Sequence, residues 1–291
     1  MEAARLVALL VAGTAVFGLA LVIEGCLRRR SAATRRGVWA LAITVALALP
    51  FTRLALDAPA IAAPGWVIVV WAIGATALAG RLAVGVRRTR SMRAASAALD
   101  DAAWRASLAA LDGPASQLRV SDELRTPVAV GVWRPAIVVP REMLGLAATE
   151  RRSLLAHELA HVARADALLL IAGAVVRAIY WPCPLVWTAL RRLRARAEDA
   201  ADDAVLHAGV PSSSYAAQLV AVARAQLERA GRVAAGGLRA RVGAVLDIGR
   251  ARAPARVPRW GLPRLGLAAL LVASLVTACE ARQGEPPSAT R

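Results

Sequence analysis

Residues 155–162 read Leu155-Ala156-His157-Glu158-Leu159-Ala160-His161-Val162, and the rest of the chain organises around them. The chain has 3 histidines, and two of them bracket Glu158 at a spacing of i, i+4. On a helix that spacing puts both imidazoles on one face, a turn apart, where they can share a single Zn²⁺. Glu158 then lies beside them, placed to act on a metal-polarised water. His157 and His161 are therefore candidate metal ligands and Glu158 the candidate catalytic base of a zinc metallopeptidase. Thr149-Glu150-Arg151-Arg152 opens the helix with Thr149 as its cap, and Ser153–Ala163 forms its body.

A catalytic zinc takes three protein ligands and keeps its fourth position for water. The third ligand is sought in Arg196-Ala197-Glu198-Asp199-Ala200-Ala201-Asp202-Asp203-Ala204. Glu198 and Asp202 are one turn apart on an Ala-rich helix, so Glu198 is the candidate ligand and Asp202 the candidate to orient a ligating histidine. The competing reading is a solvated acidic face, but such a cluster stands out where 20 acidic residues face 37 basic ones. His207 points to roughly the opposite side of that helix from Glu198 and is expected at the surface. Asp166 is expected to fall opposite His157 and to cap the next helix.

The solvent of this chain includes lipid: its hydrophobic share is 58% and its mean hydropathy +0.51. Leu6–Ile23 and Ala58–Gly80 are charge-free stretches long enough to span a bilayer, the second containing Trp66 and Trp71. Gly37–Thr52 and Leu265–Cys279 are shorter and span only with snorkelling flanks or local thinning. Arginines alternate between connections: Arg28, Arg29, Arg30, Arg35 and Arg36 crowd the first, Arg53 faces Asp57 in the second, and Arg81, Arg87, Arg88, Arg90 and Arg93 follow the third span. The positive-inside rule then puts the N-terminus outside, Arg81–Pro263 in the cytoplasm and the tail after Cys279 outside. The first span is expected to be a retained anchor, because the basic cluster lies beyond it instead of before it.

The net charge of +17 is carried on the basic side entirely by arginine, with no lysine and no asparagine in the chain, as a GC-rich bacterial genome would produce. A basic surface against an anionic leaflet accounts for it, and no nucleic-acid-binding motif is present. The 3 cysteines, Cys26, Cys183 and Cys279, lack CxxC spacing and support neither a disulfide framework nor a thiolate site.

Within the cytoplasmic region, Ser91–Leu111 favours helix. Val128–Trp133 and Pro135–Pro140 are β-branched runs bounded by Gly and Pro, as in a hairpin or small sheet beside the motif helix. Ala167–Leu190 is apolar but broken by Arg177, Pro182 and Pro184, and is either a buried helix pair or a segment dipping into the membrane. Ser213–Ala230 is helical, and Arg250–Pro263 is an Arg/Pro-rich connector.

These residues resemble the BlaR/MecR family of integral-membrane zinc peptidases, signal transducers that control β-lactamase and penicillin-resistance operons. The resemblance rests on Ser121-Asp122 with Thr126–Gly131 and Arg134–Pro140, on His157–His161 followed by Arg164 and Asp166, and on Glu198 with Asp202–Leu206. It implies a mainly α integral membrane protein: a three-helix membrane region at 1–80, a gluzincin-like zinc peptidase domain with a small β-sheet at 81–263, a fourth transmembrane helix at 264–280 and a short extracytoplasmic tail at 281–291. Better-known members carry an extracellular penicillin-binding sensor domain after the last span, for which the residues after Cys279 are too few. Sensing is therefore expected to come from a separate sensor protein, a membrane cue or another stress.

The expected function is that of a zinc metalloendopeptidase in the bacterial inner membrane, facing the cytoplasm and hydrolysing a peptide bond in a cytoplasmic protein. By resemblance that substrate is a penicillinase-repressor-type transcription factor, and no direct contact with nucleic acid is implied. Two alternatives stay open: a quality-control peptidase similar to the HtpX group, and a non-catalytic membrane receptor that keeps zinc only to hold its fold.

Overall fold

The computed structural model describes residues 3–51, 64–230, 238–247, 249 and 251–252. Three apolar helices come first: α1 (Ala3–Cys26), α2 (Ala32–Ala48), which continues as a 3₁₀ turn over Leu49–Phe51, and α3 (Trp66–Ala95). Each is long and apolar enough to cross a membrane. Their outward faces carry Val11, Leu19, Leu41, Val69 and Ile73, an apolar surface suited to lipid and costly in water.

Two helices depart from the stretches expected of them. α2 starts at Ala32, capped by Ser31 Oγ accepting from the Thr34 N–H at 3.3 Å, so Arg35 and Arg36 lie within the helix and not in a connection. Their charge is tolerated because both guanidiniums turn inward onto carboxylates, Arg35 onto Glu24 and Arg36 onto Asp166. α3 continues without interruption past Gly80 through the Arg-rich segment to Ala95, since nothing in that Ala/Val/Arg sequence breaks a helix. The helix expected over Ser91–Leu111 is split: after α3 come the two-residue strand β1 (Ala97–Ala98) and α4 (Ala102–Ala109), whose first turn is capped by Asp101 Oδ1.

A four-stranded sheet follows, completed by β2 (Gln117–Ser121), β3 (Val128–Val130) and β4 (Ala136–Pro140) in the order β1-β2-β4-β3. β3 and β4 form the expected antiparallel hairpin, with Val128 opposite Val138, and β2 runs parallel to β4. Gly131 turns the hairpin at φ +88°, where a Cβ would stand 2.6 Å from the Arg134 carbonyl oxygen. β4 is buried along its whole length, and its side chains alternate. Ile137 and Val139 pack with Trp104, Leu155 and Leu159 on the motif-helix side, while Ala136 and Val138 pack with Val130 on the other. The sheet is thus the floor on which the motif helix rests.

That helix is α5 (Ala148–Ala163). Its cap is Ala147, not Thr149, and Glu150 takes the capping role by accepting the Ala147 N–H at 3.0 Å. α5 meets α6 (Asp166–Ile179) at a bend of 53°. α6 then pairs with α7 (Pro184–His207), with Pro184 in the first turn where a missing N–H costs nothing.

The α6–α7 hairpin over Ala167–Leu190 is a helix pair packed against the apolar helices, and α5 with α6 together are also long and apolar enough for a bent span, so both readings of this stretch stay open. Val176, Val186, Leu190 and Leu193 join Phe17, Trp39 and Ile43 in one core. At the turn, Tyr180 lies where a Cβ on Gly13 would be 2.4 Å from its ring, and its hydroxyl donates to the Ala46 carbonyl at 2.9 Å. Trp181 fits Gly74 of α3 in the same way, and its indole N–H donates to Trp71 O at 3.1 Å. Two further helices, α8 (Ser212–Ala230) and α9 (Leu238–Leu246), pack against α5 and α7 through Tyr215, Ala216 and Val245. The expected fourth span, the tail, and the connector apart from residues 251–252 lie outside the described residues.

Candidate metal centre

α5 and α7 are packed side by side, and what they bring together is decided by helical periodicity. His157 and His161 project from one face of α5, their rings 4.9 Å apart at 75° and their Nε2 atoms 3.2 Å apart. From α7, Glu198 Oε2 lies 3.6 Å from His157 Nε2 and Glu198 Oε1 lies 3.7 Å from His161 Nε2. Among the described residues, His157, His161 and Glu198 form the group of side chains able to hold a metal ion. Glu158, between the two histidines, is 8% exposed, and its charge acts on His157.

The back of each imidazole is occupied. His157 Nδ1 is 3.2 Å from Asp202 Oδ1 and 3.2 Å from the Tyr215 hydroxyl, which itself donates to Asp202 Oδ1 at 2.6 Å. Arg241 of α9 grips Asp202 as a fork, Nε to Oδ2 at 2.9 Å and Nη2 to Oδ1 at 2.7 Å, and reaches Glu198 Oε2 at 3.3 Å. His161 Nδ1 is 2.7 Å from Asp166 Oδ2. Arg164, buried, approaches the same oxygen at 3.3 Å and donates to the Ala197 and Ala200 carbonyls of α7, tying the end of α5 to the turn that carries Glu198.

Asp202 therefore stands where its spacing from Glu198 put it, and His207 is exposed, with Nδ1 2.7 Å from the Asp203 carbonyl of its own helix. Asp166 corrects the sequence reading. Its expected place is opposite His157 as the cap of the next helix, but the cap position is Ala165, left-handed at φ 51°, and Asp166 is the first residue of α6 with its carboxylate turned back to His161. Glycine or asparagine at 165 would have signalled that turn, whereas alanine conceals it. Tyr215 and Arg241 were missed as well, because helices with no sequence link to the motif deliver them.

The charges fit a cation between the imidazoles. With each Nδ1 facing a carboxylate as N–H donor, both Nε2 lone pairs point at one another and at Glu198, an arrangement of acceptors without a donor. A proton or a metal ion relieves it. Burial alone would push His157 down, yet Asp202 and Glu198 outweigh burial and raise it to about 9. Burial acts to raise Glu198 and Asp202, but His157 and Arg241 hold both below the usual carboxylate range. Burial and the Asp202 charge push the Tyr215 phenol up, keeping it a neutral donor.

Residues 52–242, more than half of the chain, match the family described as BlaR1 peptidase M56. The chain belongs to that family. Over 83 residues it is 34% identical to the regulatory protein BlaR1 of Bacillus licheniformis, a stretch that makes up 28% of this chain and 14% of that protein. The match thus spans a small part of the relative's length. Membership implies a metallopeptidase with a bound metal, typically zinc, and the apolar helices fit a membrane protein. The donor set described above, two imidazoles and a carboxylate with carboxylates behind the imidazoles, suits that metal.

Proposed function

We propose that this chain is a membrane-embedded zinc metalloendopeptidase of regulatory signalling, with His157, His161 and Glu198 as ligands and Glu158 as general base. The observation that carries the reading is the pair of Nε2 atoms 3.2 Å apart, each with its Nδ1 turned to a carboxylate and both within 3.7 Å of Glu198. Zinc held there would acidify water and polarise a substrate carbonyl. Glu158 accepts the proton of the attacking water and returns it to the leaving amine. Asp202 and Asp166 hold the two imidazoles in the tautomer that leaves Nε2 bare, and Tyr215 shares Asp202 Oδ1 with Arg241. The edge strand β3, beside a cleft formed by Ala129, Val132, His161 and Leu168, offers main-chain pairing to an extended peptide.

The arginine-rich first connection and the basic inner half of α3 support an orientation with the peptidase region, 81–263, in the cytoplasm, between the membrane region at 1–80 and a fourth span at 264–280. The substrate is then a cytoplasmic protein, and the resemblance to BlaR/MecR points to a penicillinase-repressor-type transcription factor. Purified Glu158→Gln should bind zinc stoichiometrically but cleave such a repressor about 10²- to 10⁴-fold more slowly. Undiminished cleavage would remove Glu158 from its role. Fragments of many membrane proteins, in place of one stabilised repressor in cells carrying Glu158→Gln, would favour a quality-control peptidase.

A further inference from the structure

The metal centre has one contact that no peptidase element supplies. Asp166 is 5% exposed and divides its carboxylate between two helices: Oδ2 faces His161 Nδ1 at 2.7 Å, while Oδ1 accepts a hydrogen bond from the Arg36 guanidinium of α2. The same Nη2 of Arg36 donates to the Arg164 carbonyl at 3.0 Å, so the α5–α6 turn, including the strained Ala165, is held from both sides. Arg36 is 11% exposed at the start of an apolar helix, and a guanidinium is costly to keep there unless it serves a buried partner.

A second charge cluster ties the same membrane hairpin to the other ligand-bearing helix. Glu24, 1% exposed near the end of α1, accepts from Arg35 at 3.0 Å, from Arg192 at 2.8 Å and from Arg196 at 2.8 Å. Arg196 lies half a turn before Glu198 on α7 and also donates to Asp199 at 2.7 Å. The α1–α2 hairpin therefore grips α7 through Glu24 and the end of α5 through Arg36.

We propose that Arg36 is a positioning residue of the metal centre, acting through Asp166 to fix the His161 imidazole and thereby making metal binding depend on where α2 sits. This rests on the metal-site reading given above. A displacement of α2 that carries the guanidinium beyond about 3.5 Å of Asp166 breaks this contact. His161 would then keep its place on α5 but lose the oriented carboxylate behind it, the kind of loss that weakens metal sites by about 10- to 100-fold.

The test uses the full chain in detergent micelles, with zinc affinity measured by chelator competition and the visible absorption bands of the Co²⁺-substituted protein recorded beside it. Arg36→Gln should lower zinc affinity about tenfold and change the cobalt bands, and Arg36→Lys, which restores a cation to Asp166, should recover both. Unchanged zinc affinity and cobalt bands in Arg36→Gln would overturn the proposal. So would failure of Arg36→Lys to recover them while metal-free melting drops equally in both variants, since that is the signature of a merely structural arginine. His157→Ala separates the two levels: if it binds zinc as well as the wild type, the metal-site reading fails and not only the role of Arg36.

Discussion

The two histidines of the motif are chemically alike and are supported from opposite directions. Behind His157 stands a network drawn from the peptidase helices alone: Asp202 of α7, Tyr215 of α8 and Arg241 of α9. Behind His161 stands Asp166, held by Arg164 and by Arg36 of an apolar membrane helix. One half of the site is self-contained, and the other leans on the membrane region. A site built only for strength would close both halves in the same way. This asymmetry ties the support of one histidine to α2, while the support of the other stays within α7, α8 and α9.

The harshest way to break the comparison is to remove each supporting carboxylate in turn. Asp202→Ala leaves the Arg241 guanidinium without its fork partner and should cost about 3–5 kcal/mol, with hydrogen exchange rising first in α9. Asp166→Ala leaves Arg36 and Arg164 with main-chain carbonyls but no carboxylate, at similar cost, and exchange should rise at the α2 start and the α5–α6 turn. Loss of protection in the same segments for both variants would erase the distinction. Both should weaken zinc binding, by about 10- to 100-fold.

A gentler probe is pH. With His157 raised to about 9 from its ordinary value, the protonated ring stabilises the metal-free protein fully below about pH 6.5, and that stabilisation is lost as pH rises through about 9. The melting temperature of the EDTA-treated protein should fall over that window. Zinc should largely remove the fall, because the metal takes the place of the proton. A flat metal-free profile would mean that the proton is not held as the geometry indicates.

The smallest expected effect sharpens the membrane-facing side. Ala165→Gly relieves the left-handed backbone and should be neutral or stabilising by up to about 1 kcal/mol, whereas Ala165→Val should cost about 1–3 kcal/mol and weaken zinc binding by displacing Asp166. Equal melting temperatures for the two variants would mean the turn is not strained.

How much of this was legible in the sequence follows the same division. The His157-side acids could be found because Glu198 and Asp202 share a helix face, and helical spacing is written in residue numbers. The β3–β4 hairpin was legible from its β-branched runs, and the apolar helices from their hydropathy. Asp166 was misplaced because periodicity was carried through Ala165, and a single left-handed residue cancels periodicity. Arg36 gave a false signal: an arginine beside an apolar run reads as a loop charge at the membrane surface, and only the tertiary position of Asp166 turns it inward. Arg241 and Tyr215 depend on how α8 and α9 dock, which no local pattern records.

The contacts of Tyr180 with Gly13 and of Trp181 with Gly74 also bear on biosynthesis. The hairpin that carries Glu198 has its receiving notches on α1 and α3, both made by the ribosome before it. Chains emerge N-terminus first, so the membrane half exists as a mould before its insert is synthesised. A copy that misses the bilayer presents the hairpin that carries Glu198 with those notches exposed to water instead of lipid-backed.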